Sequence, residues 1–216
     1  GNGQDELVEA ITGLRHVTSG SVIINNKDMT NQKVRKITEA GVAHIPADRQ
    51  KYGLILQFPL ADNLALQTYY RPPLSKHGII NHKAIHEHAE KLIKQFDIRT
   101  TSATLPASDL SGGNQQKAII ARELDLKSDL IIAFQPTRGL DVGAIEYIHK
   151  QLLAQRSAGK AILLISYELD EIMQLSDRIV VLHDGQASGE VKPEETSNKE
   201  LGLLMTGAKT EGTNHD

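Results

Sequence analysis

The chain has 216 residues, enough for one large domain or a domain with a smaller lobe, and enough to bury a core without covalent staples. Its composition, 39% apolar and 24% charged, is that of an ordinary globular protein, and the absence of cysteine excludes a disulfide framework and a thiolate metal site. Lys and Arg number 24 against 27 Asp and Glu, so the net charge of −3 lacks the basic excess on which nucleic-acid binders rely, and apolar runs such as 161–165 are far too short to span a membrane.

No secretory signal opens the chain, and its start at Gly1 rather than Met reads as a piece cut from something longer. Leu7, Val8 and Ile11 at helical spacing predict a helix over 4–14, with Gly13 near its end. A strand follows at 20–24. Asn31 is placed to cap a helix carrying Val34 and Ile37, and 42–45 reads as a strand closed by Pro46. From 48 to 80 the pattern loosens around Pro59, Pro72, Pro73 and Gly78. Asn81 then caps a long amphipathic helix with Ile85, Ala89, Leu92, Ile93 and Phe96 on one stripe. A loop over 100–109 leads to a helix opening at Ser111. The second half alternates strands at 129–134, 161–165 and 178–182 with helices at 142–156 and 168–175. Asp184-Gly185 marks a two-residue hairpin turn. This rhythm predicts an α/β fold on a mostly parallel sheet, with a core formed by 1–47 and 117–207 and a helical insertion over 48–116. The polar tail 208–216 reads as disordered.

The strongest chemical signal is Leu110-Ser-Gly-Gly-Asn-Gln-Gln-Lys117. Ser111 can cap the following helix while Gly112 and Gly113 leave its first amides bare, an arrangement suited to an anion. Taken alone it is an ordinary Ser cap. It is followed, however, by an apolar strand and Pro136-Thr-Arg-Gly-Leu-Asp141, then by Ile165-Ser-Tyr-Glu-Leu-Asp-Glu-Ile172 and Asp177-Arg-Ile-Val-Val-Leu-His-Asp-Gly185.

That ordered set, over nearly the whole chain, resembles the ATP-binding cassettes of ABC transporters. It is most similar in pattern to the second cassette of the fused double cassettes of bacterial sugar and nucleoside importers. The resemblance implies a P-loop core, cut short at its N-terminus, that works with ATP and magnesium. It makes 110–115 the signature motif, Gly139-Leu140-Asp141 the D-loop, Ser166-Tyr167 the switch segment and Gly1-Asn2-Gly3-Gln4-Asp5-Glu6 the phosphate-loop region.

The departures from the family pattern are informative. An active phosphate loop has Lys followed by Ser or Thr to hold phosphate and magnesium; here Gln4 and Asp5 stand there. The strand position that closes on Asp and Glu reads Phe134-Gln135. Tyr167 replaces the switch His, and Ala47 stands where the family places a polar residue. Losing a charged hydrogen bond costs roughly 1.5–3 kcal/mol, and losing a general base about 10²–10⁴ in rate. The expectation is a degenerate pocket of its own beside an intact signature. Leu110, Ser111, Gly112, Gly113, Asn114 and Gln115, with the D-loop Asp141, would then serve an ATP held by a partner cassette.

The implied partners are the N-terminal cassette of the same full-length protein, membrane permease subunits and, indirectly, an extracellular substrate-binding protein. Residues 43–75 are placed for coupling to the permease. The implied location is the cytoplasmic face of the bacterial membrane, and nucleoside is favoured over sugar as solute. Two rival readings are a soluble ABC protein acting on nucleic acid or the ribosome, which the charge and the lack of heptads disfavour, and a non-catalytic interaction module, which has no need of paired glycines. His82, His86 and Glu90 share a helix face of metal-ligand spacing but read as a solvated charged face, so no metal site is assigned to protein side chains.

Overall fold

A computed structural model describes residues 2–207; Gly1 and the tail 208–216, read from sequence as phosphate-loop and disordered residues, lie outside the described residues. In chain order the elements are α1 (Gln4–Thr12), β1 (Ile23–Ile24), β2 (Lys27–Asp28), α2 (Val34–Glu39), β3 (Val42–Ile45), a π-helical turn (Arg49–Gly53) and α3 (Leu60–Ala65). Then come β4 (Ser75–Lys76), β5 (Ile79–Ile80), α4 (His82–Gln95), α5 (Gly112–Asp125), β6 (Leu130–Phe134), α6 (Val142–Ser157) and β7 (Ala161–Ile165). The chain closes with α7 (Leu169–Leu175), β8 (Ile179–His183), β9 (Gln186–Val191) and α8 (Asn198–Met205). The described residues form two compact units, Ala40–Leu163 and the pair 2–39 with 164–207.

In the unit Ala40–Leu163, β3 and β6 pair in parallel from Val42 against Leu130 to Ile45 against Ala133, within a sheet of order β3-β6-β7. Both strands are apolar runs that bury nearly every residue, as strands covered on both faces must. Helix α3 packs on α4 and α5, and Leu60, Leu64, Leu92, Ile119, Ile120, Ile131 and Ile132 are wholly buried. The segment that looks loose in sequence is held by a buried polar residue. Asn63 accepts a hydrogen bond from the Ile55 amide and donates to the carbonyls of Ile55, Phe58 and Pro59, so the loop's backbone groups stay satisfied without a sheet. Asn81 caps α4 through the Ala84 amide, as the sequence predicts.

In the other unit, the expected strand at 20–24 shortens to Ile23–Ile24, paired with Lys27–Asp28 across Asn25 and Asn26 at positive φ. It shortens because the Val22 amide is taken by the Thr30 hydroxyl. Asn31 does not cap α2: its side chain accepts from the Val17 amide and donates to the Val17 carbonyl, tying the loop to itself. Strands β8 and β9 pair antiparallel around Asp184 and Gly185, both at positive φ as this two-residue turn requires. Ile179, Val181, Leu201 and Leu204 form the core beneath.

Candidate nucleotide-binding elements

The opening of α5 follows from its sequence. Ser111 is extended and exposed, and its Oγ accepts from the Asn114 side chain at 2.9 Å and more weakly from the Asn114 amide at 3.5 Å. With its lone pairs so engaged, the hydroxyl hydrogen is what Ser111 has to offer outward. Asn114 Oδ1 accepts from the Arg99 amide at 2.8 Å, which anchors the preceding loop. Leu110 and Gln115 are buried. Gln115 donates to the Ala107 carbonyl and accepts from the Gln50 side chain. Gln116 donates to the Pro136 carbonyl at 2.8 Å, linking α5 to the segment after β6.

That segment brings the D-loop alongside. Asp141 caps α6 by accepting from the Ala144 amide at 2.9 Å. A Cβ on Gly113 would lie 3.4 Å from Ala144 Cβ and 4.0 Å from Asp141 Oδ2, so Gly113 is where the two helix openings meet. A Cβ on Gly112 would lie 3.0 Å from Arg49 Nη2, while Arg49 Nη1 donates to the Arg138 carbonyl at 2.9 Å. The sequence-predicted residues of signature and D-loop therefore sit together in one unit.

Three contributors escaped the sequence reading. Arg49 reaches the Arg138 carbonyl across 89 residues, and Asn63 reaches carbonyls four to eight residues back in a segment with no regular pattern to point to it. Lys117 stood in the motif without a role: its Nζ donates to the Asp97 carbonyl at 2.7 Å and carboxylate at 2.9 Å, and lies 4.5 Å from the Tyr147 ring centre. The Lys117 hydrogen bond holds the Asp97 carboxyl below its ordinary range. Burial, with the Asp97 charge second, pushes the Tyr147 phenol up to about 12; its hydroxyl donates to the Phe96 carbonyl.

At the end of β6, Phe134 and Gln135 are both buried and supply no carboxylate. Gln135 sits at positive φ, its carbonyl accepts from the Arg138 amide, and its side-chain nitrogen is shielded without a hydrogen-bond partner among the described residues. Ala47 is half-buried, just before Asp48, which caps the π-helical turn through the Gln50 and Lys51 amides. Those amide bonds, Lys51 foremost, hold the Asp48 carboxyl low.

In the other unit, Gly3 opens α1 at φ 98°. The Asn2 amide donates to Gln4 Oε1 at 2.8 Å, so the Gln4 side chain occupies that donor of the loop. Asn2 also accepts from the Asp184 and Gly185 amides, and a Cβ on Gly3 would lie 3.2 Å from Gly185 Cα, seating the loop on the hairpin turn. Asp5 and Glu6 are exposed in the first turn of α1. Among the described residues, the start of α1 thus has one amide engaged by Gln4 and two carboxylates in its first turn. Tyr167 is half-exposed between β7 and α7 and follows Ser166, whose hydroxyl accepts from the Glu168 amide. His82 and His86 are exposed on α4, with His86 3.7 Å from Glu90.

A parallel sheet with inserted helices and a glycine-opened signature helix is the architecture of an ATP-binding cassette. Among solved structures, a nucleotide-free cassette from an ABC transporter matches with a TM-score of 0.74 at 23% identity over 95% of this chain and 80% of that one. A dimeric cassette bound to ADP and phosphate matches with a TM-score of 0.73 at 23% identity over 89% and 81%. The sequence pattern described as ABC transporter matches residues 1–138, and the chain belongs to that family. It is similar to the nucleoside import ATP-binding protein NupA of Lactococcus lactis, at 60% identity over 96% of this chain and 41% of that protein. It is also similar to the guanosine import ATP-binding protein NupO of Bacillus subtilis, at 55% over 96% and 41%, and to the glucose import ATP-binding protein TsgD13 of Haloferax volcanii, at 42% over 96% and 38%. The chain thus spans about two fifths of the length of the curated relatives it matches.

Proposed function

We propose that this chain is the second nucleotide-binding domain of a bacterial ABC importer and acts by completing an ATP site held by its partner cassette. The observation that carries the proposal is the opening of α5. Ser111 presents its hydroxyl, Gly112 and Gly113 present bare amides, and no acidic residue stands in the first turn, so this end of the helix accepts an anion. ATP with magnesium supplies the γ-phosphate that such donors would stabilise. Asp141, beside Gly113, would approach the same nucleotide, while Gln4 and Asp5 in one unit, and Phe134 and Gln135 in the other, are not the Lys, Ser or Thr and carboxylates that an ATP site of this chain's own would use.

Nucleosides are the proposed solute, because the relatives named for nucleoside and guanosine import are 60% and 55% identical, against 42% for the one named for glucose import. The proposed partners are an N-terminal cassette in the full-length protein, permease subunits and, through them, an extracellular binding protein, with no nucleic acid. Residues 48–116 would form the signature-bearing subdomain. Coupling to the permease is placed within 43–75, where Tyr52, Ile55 and Phe58 are exposed apolar side chains. Among the described residues no helix is long and apolar enough to cross a membrane, so the domain would attach to the membrane's cytoplasmic face through the permease.

Gly112→Asp tests the proposal in the two-cassette protein. A carboxylate there would set a like charge against phosphate and would be drawn onto the Arg49 guanidinium. Removing one preorganised donor elsewhere costs about 10²–10³ in turnover, so ATP hydrolysis should nearly vanish without unfolding the domain. Gln135→Ala should leave most of it. Hydrolysis that survives Gly112→Asp and collapses with Gln135→Ala would place catalysis in this chain's own pocket and overturn the reading.

A further inference from the structure

The short π-helical turn Arg49–Gly53 makes more connections to the signature than its length suggests. Gln50 donates to the Gln115 side chain at 3.2 Å. The Gly53 carbonyl accepts from Arg122 Nη1 at 2.8 Å, and a Cβ on Gly53 would collide with Ile119, so the turn lies directly against α5. Arg122 is itself buried and bonded to Glu123, which also accepts from the His44 amide of β3. The turn is thereby fixed at its far end to the helix whose other end carries the signature. π-Helical turns of this kind are rare and concentrate at functional sites.

At the near end stands Arg49. One arm of its guanidinium holds the Arg138 carbonyl, the residue before the D-loop, at 2.9 Å. The other lies against Gly112, where an added Cβ would fall 3.0 Å from Nη2, 3.5 Å from Cζ and 3.6 Å from Nε. The Nε hydrogen is shielded from solvent and has no partner among the described residues. Burying an unpartnered donor is unfavourable, so the group is held there by the fork geometry as a whole. Lysine, with one point charge, cannot reproduce two arms at fixed spacing.

We infer that Arg49 is a positioning residue that braces the signature turn to the D-loop. Through it, Ser111 and Asp141 would reach a partner's nucleotide as one preset surface. The inference rests on the proposed donation of the signature to a partner site. It assigns the smallness of Gly112 a second reason beyond access of phosphate: a side chain there would displace the brace.

The test is a set of variants in the full two-cassette protein, each checked for a parental melting transition. A misplacement of about 1 Å can cost roughly 10²-fold in rate. Arg49→Ala and Arg49→Lys should each therefore lower kcat for ATP hydrolysis by roughly ten- to a hundredfold, while nucleotide affinity in the absence of turnover stays within about twofold. Lys51→Ala, which removes an exposed cation from the same turn, should leave kcat unchanged. Combining Arg49→Ala with Gly112→Ala should cost clearly less than the product of the two single losses, because the alanine methyl then has no guanidinium to displace. If Arg49→Ala and Arg49→Lys keep kcat within twofold while Gly112→Asp abolishes hydrolysis, the brace is refuted and the donated signature stands. Multiplicative losses in the double variant also refute it. If Gly112→Asp itself leaves hydrolysis intact, the underlying reading has failed instead.

Discussion

Helices α1 and α5 both have glycines at their openings, and their first turns are differently equipped. Helix α5 opens on Ser111, with Gly112 and Gly113 in its first turn and no acidic residue there, while α1 opens on Gly3 with Asp5 and Glu6 immediately after. Both carry the same partial positive charge from their aligned peptides. In α1 that charge is answered internally by the carboxylates, and Gln4 Oε1 takes the Asn2 amide at 2.8 Å. In α5 no carboxylate of the first turn answers it. The two helix ends thus differ less in their backbone, common to both, than in what the first turn supplies.

The supports differ as well, and here the largest effect is expected. The far half of α5 rests on buried polar groups: Glu123 accepts from the His44 amide and Arg122 lies beside it. Burial, with the Arg122 charge second, pushes the His44 imidazole down to about 4. The unfolded chain takes up a proton near the ordinary value of 6.5, whereas folded His44 refuses it until about pH 4. The stability contributed by neutral His44 should therefore be full above about pH 6.5, fall as the pH drops towards 4, and level off below. The His44 contribution is on the order of 3 kcal/mol. Urea midpoints measured across this window should slope less steeply in His44→Gln. An unchanged slope would mean that the support of α5 does not titrate through His44.

A smaller effect sharpens the same contrast. Lys117 is nearly buried between Asp97 and the Tyr147 ring, but Asp97 is largely exposed, so solvent screens part of the pair. Lys117→Met keeps the aliphatic stem and removes the charge. It should lower the urea midpoint of unfolding measurably but less than the His44 effect. The lagging tyrosine near pH 12 should at the same time become no easier to ionise, because burial rather than Lys117 sets it.

Much of this was legible in sequence where the cause is local. Ser111 and Asn81 cap helices because a short polar side chain reaches its own backbone three residues on. Asp184-Gly185 makes its hairpin because the turn needs two residues at positive φ. The family motifs likewise picked out 110–115 and 139–141, which lie in one unit with Gly113 close to Asp141. Asn31 misled because the same short side chain serves a distant loop as well as a cap, and only the folded chain offers Val17. Arg49 and Asn63 were invisible for the complementary reason: each binds carbonyls whose position depends on the packing of several elements. Helix α8 escaped because its buried Leu201 and Leu204 make too short a pattern to stand out against the polar segment before it.

The smallest expected effect breaks the comparison if it goes the other way. If α1 is unresponsive because Gln4 alone plugs its loop, removing the plug should create an anion site. If the Asp5 and Glu6 carboxylates and the missing cation decide, it should not. Gln4→Ala frees the Asn2 amide, and since this group is only part-buried, water can replace the lost acceptor. The stability cost should be about 1 kcal/mol or less. Magnesium-ATP binding to the isolated chain should stay as weak as the parent's in calorimetry, because the first turn of α1 still carries two carboxylates. Micromolar or tighter binding by the parent chain would show that the loop accepts nucleotide as it stands. Tight binding acquired only by Gln4→Ala would show that a single side-chain oxygen, and not the charge of the first turn, separates α1 from α5.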